Sequence, residues 1–184
     1  NNGDKTFTNT INISMRHISQ FSMGTDIADI NNDGWLDIFT ADMVSEDRYR
    51  SKANMAGMNI SDFWKIVQST NQYQYMANSL QLNRGNGIFS EIAQLSGISK
   101  TDWSWAPLIA DFNNDGFKDL YITNGLKRDV RNKDFNTLRI AFLENRNNPK
   151  YTGENFQNPL ELLNKAPSVK ISNYMYLNEG NFHF

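Results

Sequence analysis

One nine-residue stretch occurs twice, and the spacing of its oxygens constrains this chain more than any other feature. Asp29-Ile30-Asn31-Asn32-Asp33-Gly34-Trp35-Leu36-Asp37 returns as Asp111-Phe112-Asn113-Asn114-Asp115-Gly116-Phe117-Lys118-Asp119. Side-chain oxygens stand at positions 1, 3, 5 and 9 of each copy, with Gly at 6. A hard cation needs several oxygens converging from a sharply turning loop, and Gly tolerates the backbone angles of such a turn. Position 7, Trp35 or Phe117, would add only its backbone carbonyl, which leaves its ring to pack elsewhere.

The chemistry of the donors selects among metals and motifs. All-oxygen ligation with no Cys or His in the loops points to calcium, against zinc or copper. An EF-hand would carry a bidentate Glu at position 12, where this chain has Thr40 and Ile122. Its flanks would be helical, as would those of a dockerin-like pair, whereas Ile38-Phe39-Thr40-Ala41 and Leu120-Tyr121-Ile122-Thr123 are β-rich. The plainer alternative is an Asn/Asp/Gly turn between two strands. Duplication of all four ligand positions favours two calcium sites: Asp29, Asn31, Asp33, the Trp35 carbonyl and Asp37, then Asp111, Asn113, Asp115, the Phe117 carbonyl and Asp119.

The surrounding sequence repeats at the same offset. Asp111 follows Asp29 by 111 − 29 = 82 positions, and Asn83-Arg84-Gly85 follows Asn1-Asn2-Gly3 by the same 83 − 1 = 82. The Asn-x-Gly turn appears a third time at Asn178-Glu179-Gly180-Asn181, before Phe182-His183-Phe184. Fixed-offset similarity signals a repeat architecture. In the second unit, strands are expected from Ser104 to Phe112, Lys118 to Thr123, Asn173 to Leu177 and Phe182 onward. In the first they start at Ser22, Leu36, Asn78 and Ile88. Four short antiparallel strands per unit describe a propeller blade, and apolar runs such as Leu108-Ile109-Ala110 suit sheets covered on both faces.

The expected fold class is therefore all-β with helical insertions, part of a β-propeller, with about two four-stranded antiparallel blades. Residues 1–12 would be the outer strand of a preceding blade. Residues 22–95 would form one blade with a helical insertion at 43–77, and residues 104–184 another with an insertion at 126–171. The first insertion contains Ser61-Asp62-Phe63-Trp64-Lys65-Ile66-Val67, with Ser61 as expected N-cap. In the second, Phe135, Leu138 and Phe142 share a helix face, and Asn158-Pro159 opens a Leu160–Leu163 helix that stops before Pro167.

These stretches carry a family likeness. Leu82 to Glu91, Trp103-Ser104-Trp105-Ala106-Pro107, Asp111–Asp119 and Thr123-Asn124-Gly125 resemble the FG-GAP/VCBS repeat family, the calcium-bearing blades of integrin α-subunit propellers. The chain is most similar to the bacterial branch associated with cartilage-acidic-protein-like and ASPIC/UnbV proteins, and Ala41-Asp42-Met43 resembles a phrase of exported Bacteroidetes-type members. The name-giving Phe-Gly is absent. Gly-Ala-Pro survives only as Trp105-Ala106-Pro107 and Met23-Gly24-Thr25, which weakens any analogy with integrin ligand binding. The resemblance implies a propeller whose remaining blades are its structural partners.

Composition narrows the function classes. Of 184 residues, 39% are hydrophobic and 12% aromatic, enough for a folded core. A net charge of −2 leaves no electrostatic footprint for nucleic acid. No apolar run is long enough for a membrane span, and no signal-peptide pattern opens the chain. An opening without Met points to processing or truncation. Zero Cys fits an exported bacterial protein or a cytosolic one.

No catalytic residue is assigned. Only His17, expected in a loop, and His183 offer an imidazole base, and both read as incidental surface residues. Paired carboxylates for sugar hydrolysis would compete with the metals for the same Asp residues. The run Lys127-Arg128-Asp129-Val130-Arg131 reads as a solvated helix start. Trp103, Trp105, Tyr73 and Tyr75 are candidates for a sugar-stacking platform or for blade packing.

Two function classes follow. One is a non-catalytic, calcium-stabilised propeller segment that binds extracellular protein or glycan. The other is the propeller portion of a polysaccharide lyase or hydrolase. Weak calcium loops of this kind fill outside the cell, so an extracellular or cell-surface location of an exported bacterial protein is expected.

Overall fold

The structure, a computed structural model, describes residues 1–54, 59–145 and 159–184. In chain order its elements are α1 (Ile11–Ser14), β1 (His17–Ser19), β2 (Gly24–Ala28), β3 (Asp37–Ala41), β4 (Met43–Val44), α2 (Arg48–Ala53), α3 (Ile60–Thr70), β5 (Tyr73–Tyr75), β6 (Ser79–Asn83), β7 (Phe89–Glu91), β8 (Asp102–Ala110), β9 (Asp119–Asn124), α4 (Lys133–Asn145), α5 (Pro159–Asn164) and β10 (Tyr174–Tyr176).

The strands form two four-stranded antiparallel sheets and one parallel pair. The first sheet has the order β2-β3-β6-β7, so each strand lies beside its sequence neighbour. Gly24 faces Ala41 and Ala28 faces Asp37, which makes the first oxygen-rich loop the turn of a hairpin. The second sheet repeats the arrangement: Ala110 faces Asp119 across the second loop, and Tyr174 faces Ile122 in the next strand.

Period-2 patterning explains the burial. In β3, Asp37, Phe39 and Ala41 point inward, while central β6 is buried on both faces from Ser79 to Leu82. Phe39, Leu80, Leu82, Ile98, Ile109, Leu120 and Ile122 join one continuous core built from both sheets. The inner strands meet through the Ile109 N–H, which donates to Asp26 Oδ2 at 2.7 Å. At Gly24 the contact is closer still, since a Cβ there would stand 2.3 Å from the Trp105 carbonyl oxygen. Only a glycine fits where two backbones come that near.

Several expected elements differ. Residues 1–12 form no strand; Asn1–Thr6 is a turn closed on its own side chains, with Gly3 N–H donating to Asn1 Oδ1, and helix α1 follows. A strand needs a neighbour to take its ladder bonds, and none is there among the described residues. No strand starts at Phe182 either. Counted from the shared Asn-x-Gly turn, Phe184 is the counterpart of Phe89, where β7 begins. The fourth place in the second sheet is taken at its other edge by β4, with Met43 facing Trp103 and Val44 facing Asp102.

The insertions hold the expected helices with shifted details. Asn59, not Ser61, caps α3, because its Oδ1 reaches the Ser61 N–H at 2.9 Å. Phe135, Leu138 and Phe142 of α4 pack with Leu162 and Ala166 in a small separate core. The α5 helix starts at Pro159, as its fixed φ favours; Asn158 lies outside the described residues. His17 is in strand β1, paired in parallel with β5, rather than in a loop.

Candidate metal-binding loops

The two loops match bond for bond. In the first, Asp29 Oδ1 and Oδ2 accept the N–H groups of Asp33 (3.1 Å) and Gly34 (2.8 Å). In the second, Asp111 accepts those of Asp115 (3.1 Å) and Gly116 (2.9 Å). Asn31 and Asn113 each donate an amide N–H to Oδ2 of the next Asp at 2.8 Å. Oδ1 of Asp33 and of Asp115 takes the N–H of position 7, again at 2.8 Å in both. Asn32 and Asn114 adopt φ of 59° and 61°, and the position-6 glycines 88° and 93°. A short polar side chain and a Gly suit two such angles in series.

Position 9 joins each loop to its neighbouring turn. Asp37 and Asp119 are fully buried. Each Oδ2 accepts the N–H of position 2, Ile30 at 3.0 Å or Phe112 at 2.9 Å. Each Oδ1 accepts an N–H from the Asn-x-Gly turn, Asn83 at 2.8 Å or Asn178 at 2.9 Å. The loop and the turn, separate motifs in the sequence, are one unit in space. Burial pushes the Asp37 carboxyl up, against the two N–H bonds that lower it, and the Asp33 and Asp29 charges push it further up.

The position-7 rings lie over the same turns. A Cβ on Gly85 would stand 2.7 Å from Trp35 Nε1, and one on Gly180 would stand 2.8 Å from Phe117 Cζ. Gly85, Gly180, Asn83 and Asn178 thus belong to the site, and its sequence signal was that both motifs repeat. The two loops also touch: Asn32 Nδ2 donates to the Gly116 carbonyl at 3.0 Å, and Asn178 Nδ2 to the Ile30 carbonyl at 2.8 Å.

The donor set has the composition a calcium ion takes, carboxylate, amide and carbonyl oxygen alone. No ion pair joins a loop carboxylate to a basic side chain among the described residues. Nor, among them, do three or more His, Asp or Glu groups converge tightly enough to hold an ion. Asp33 and Asp115 are exposed and bonded only within their own loops.

Other candidates are dispersed. Trp103 is buried beside Met43 with Arg131 5.4 Å above its ring, so it is core. Trp105 is partly exposed and donates to the Gly125 carbonyl at 2.6 Å. Tyr73 and Tyr75 stand elsewhere, against Phe63 of α3. His17 Nε2 lies 3.3 Å from Glu91, while His183 is exposed. The run 127–131 is no solvated helix start: α4 begins only at Lys133, and buried Asp129 pairs with Arg50.

One segment collects β5, β6, β7, β8, the second loop and most of β9, and it answers to a known repeat. Residues 66–122 match the FG-GAP-like repeat. The matched repeat includes Asp111–Asp119 and ends before the third strand of the second sheet. The first loop lies outside it. No curated protein and no solved structure matches the chain. No helix among the described residues is long and apolar enough to cross a membrane.

Proposed function

We propose that this chain is a calcium-stabilised, non-catalytic segment of a β-propeller that binds extracellular protein or glycan. The observation carrying the reading is the duplicated loop, in which seven hydrogen bonds recur from one copy to the other around the same ligand types. Asp29, Asn31, Asp33, the Trp35 carbonyl and Asp37 would hold one ion, and Asp111, Asn113, Asp115, the Phe117 carbonyl and Asp119 the other. Bound calcium would supply charge neutralisation and cross-linking within each hairpin turn. Both loops are turns between strands and line none of the four clefts found among the described residues, which favours a structural ion over a catalytic one. The FG-GAP-like match over residues 66–122 supports a repeat of this kind, and the assignment to the bacterial branch with cartilage-acidic-protein-like and ASPIC/UnbV proteins rests on the sequence resemblance alone. Loops without a bidentate Glu fit the weak affinities, about 10⁻⁴–10⁻³ M, of extracellular calcium modules, hence export to the cell surface or beyond.

Calorimetry at millimolar calcium tests the reading, with two sites expected. At ten times the dissociation constant each ion adds about 1.4 kcal/mol of stability. Asp115→Ala should lower the melting temperature in calcium and change little in chelator. Absence of calcium uptake by the intact chain removes the proposal, and submicromolar affinity at both loops removes the argument for export.

A second reading, the propeller portion of a polysaccharide lyase or hydrolase, draws on a different place. Arg16, His17, Tyr73 and Tyr75 line a cleft of about 380 Å³, and Glu91 pairs with His17 from behind. Such groups supply general acid–base chemistry. Chain cleavage of an acidic polysaccharide, abolished by His17→Asn, is the result that would favour it.

A further inference from the structure

We propose a second ligand site, in the helical insertion, that takes a small amphiphilic anion: an ionised carboxylate or phosphate head on an apolar body. The α4 and α5 helices line an open pocket of about 730 Å³, with Val130 and Arg131 from the segment before α4. That volume falls within the range of small-molecule pockets, about 300–1,000 Å³. None of its residues belongs to either oxygen-rich loop.

The lining divides into two chemistries. Phe135, Leu162, Leu163, Pro159 and Val130 make an apolar wall. Arg131, Lys133 and Arg139 add three cations, and among the described residues no Asp or Glu lines the cavity. In a chain of net charge −2, three cations at one pocket with no described carboxylate in its lining are a local reversal. No ion pair among the described residues takes any of the three. Arg139 bonds instead to the neutral Asn136 amide at 2.8 Å, and Arg131 stands over the face of Trp103. A guanidinium held by a neutral partner keeps its full charge for an incoming anion. The exposed part of the wall, Leu163 and Val130, would be covered by the ligand's apolar portion.

The test measures binding of three probes to the whole chain by calorimetry, below their micellar concentrations: decanoate, decyl phosphate and decyltrimethylammonium. The same titrations in chelator separate this site from the calcium reading, because loss of the loops' metal should leave the insertion's affinity unchanged. The expected result is one-to-one binding of an anionic probe at least ten-fold tighter than the cationic one. Whichever anion binds tighter names the head group. A Lys133→Gln/Arg139→Gln double variant should lose about ten-fold for the anions, with its melting temperature unchanged. Should that variant not fold, Leu163→Asn on the exposed wall should weaken both anions. Equal binding of cation and anion, affinity untouched by these substitutions, or no binding of any probe overturns the proposal.

Discussion

Two glycines mark where the loops meet the turns. At Gly85 and Gly180 the backbone has φ of +71° and +80°, and the rings of Trp35 and Phe117 occupy the space a Cβ would need. Gly85→Ala is therefore expected to lose stability twice, through backbone strain and through displacement of the indole. Positive φ alone costs an L-residue of order 1–3 kcal/mol. Gly87 separates the two parts, because it has φ of +81° with nothing within 4 Å of its absent side chain. Thermal melts should place Gly85→Ala below Gly87→Ala, each kcal/mol being worth about 2–4 °C in a chain of this length. Equal melting temperatures would mean that the ring contact contributes nothing. The loops' 1-3-5-7-9 spacing could be read from sequence because every proposed ligand sits within nine residues. The partner glycines could not, since their role depends on strands that bring residues 35 and 85 together.

Helices and strands are held in relation by a buried charge cluster. Arg50 of α2 donates to Asp102 of β8 through Nε (2.8 Å) and Nη2 (2.9 Å), and to Asp129 through Nη1 (3.1 Å). One guanidinium thereby ties the first insertion to the second sheet and to the start of the second insertion. Burial pushes the Asp102 carboxyl up, yet Arg50, the Ser45 hydroxyl and the Trp103 N–H together bring it below the usual carboxylate range. A carboxyl with a depressed folded value stabilises above its unfolded value, and that stability is lost as pH falls through the folded one. Acid titration should therefore weaken the fold below about pH 4, the ordinary Asp range. Asp102→Asn should flatten that limb and cost about 3–5 kcal/mol at neutral pH, because a buried cation loses half its compensation. Denaturant melts at pH 7 and pH 3 measure both. The helices themselves were legible, since Phe135, Leu138 and Phe142 repeat with helical period. Arg50, Asp102 and Asp129 were not: each is an ordinary charged residue locally, and only tertiary packing buries it.

Across the whole molecule, the order of strands was legible from alternation and turn residues, and the first sheet follows it strand for strand. The second sheet departs at both ends, lacking a strand at Phe182 and gaining β4 beside β8. Two-residue pairings such as Met43 to Trp103 leave no periodic signal, so their partner is decided by packing alone. That short strand has a mechanical consequence. After β3 the chain crosses to the second sheet, bonds there as β4, and returns through the insertion to β6 in the first. Neither sheet can be drawn out lengthwise while the other stays whole. Pulled from residues 22 and 177 in a force spectrometer, the two sheets should rupture in a single event rather than a sawtooth of two. Separate peaks, each releasing one sheet, would show that β4 slips free before either sheet yields. A chain so stitched meets shear as one mechanical body.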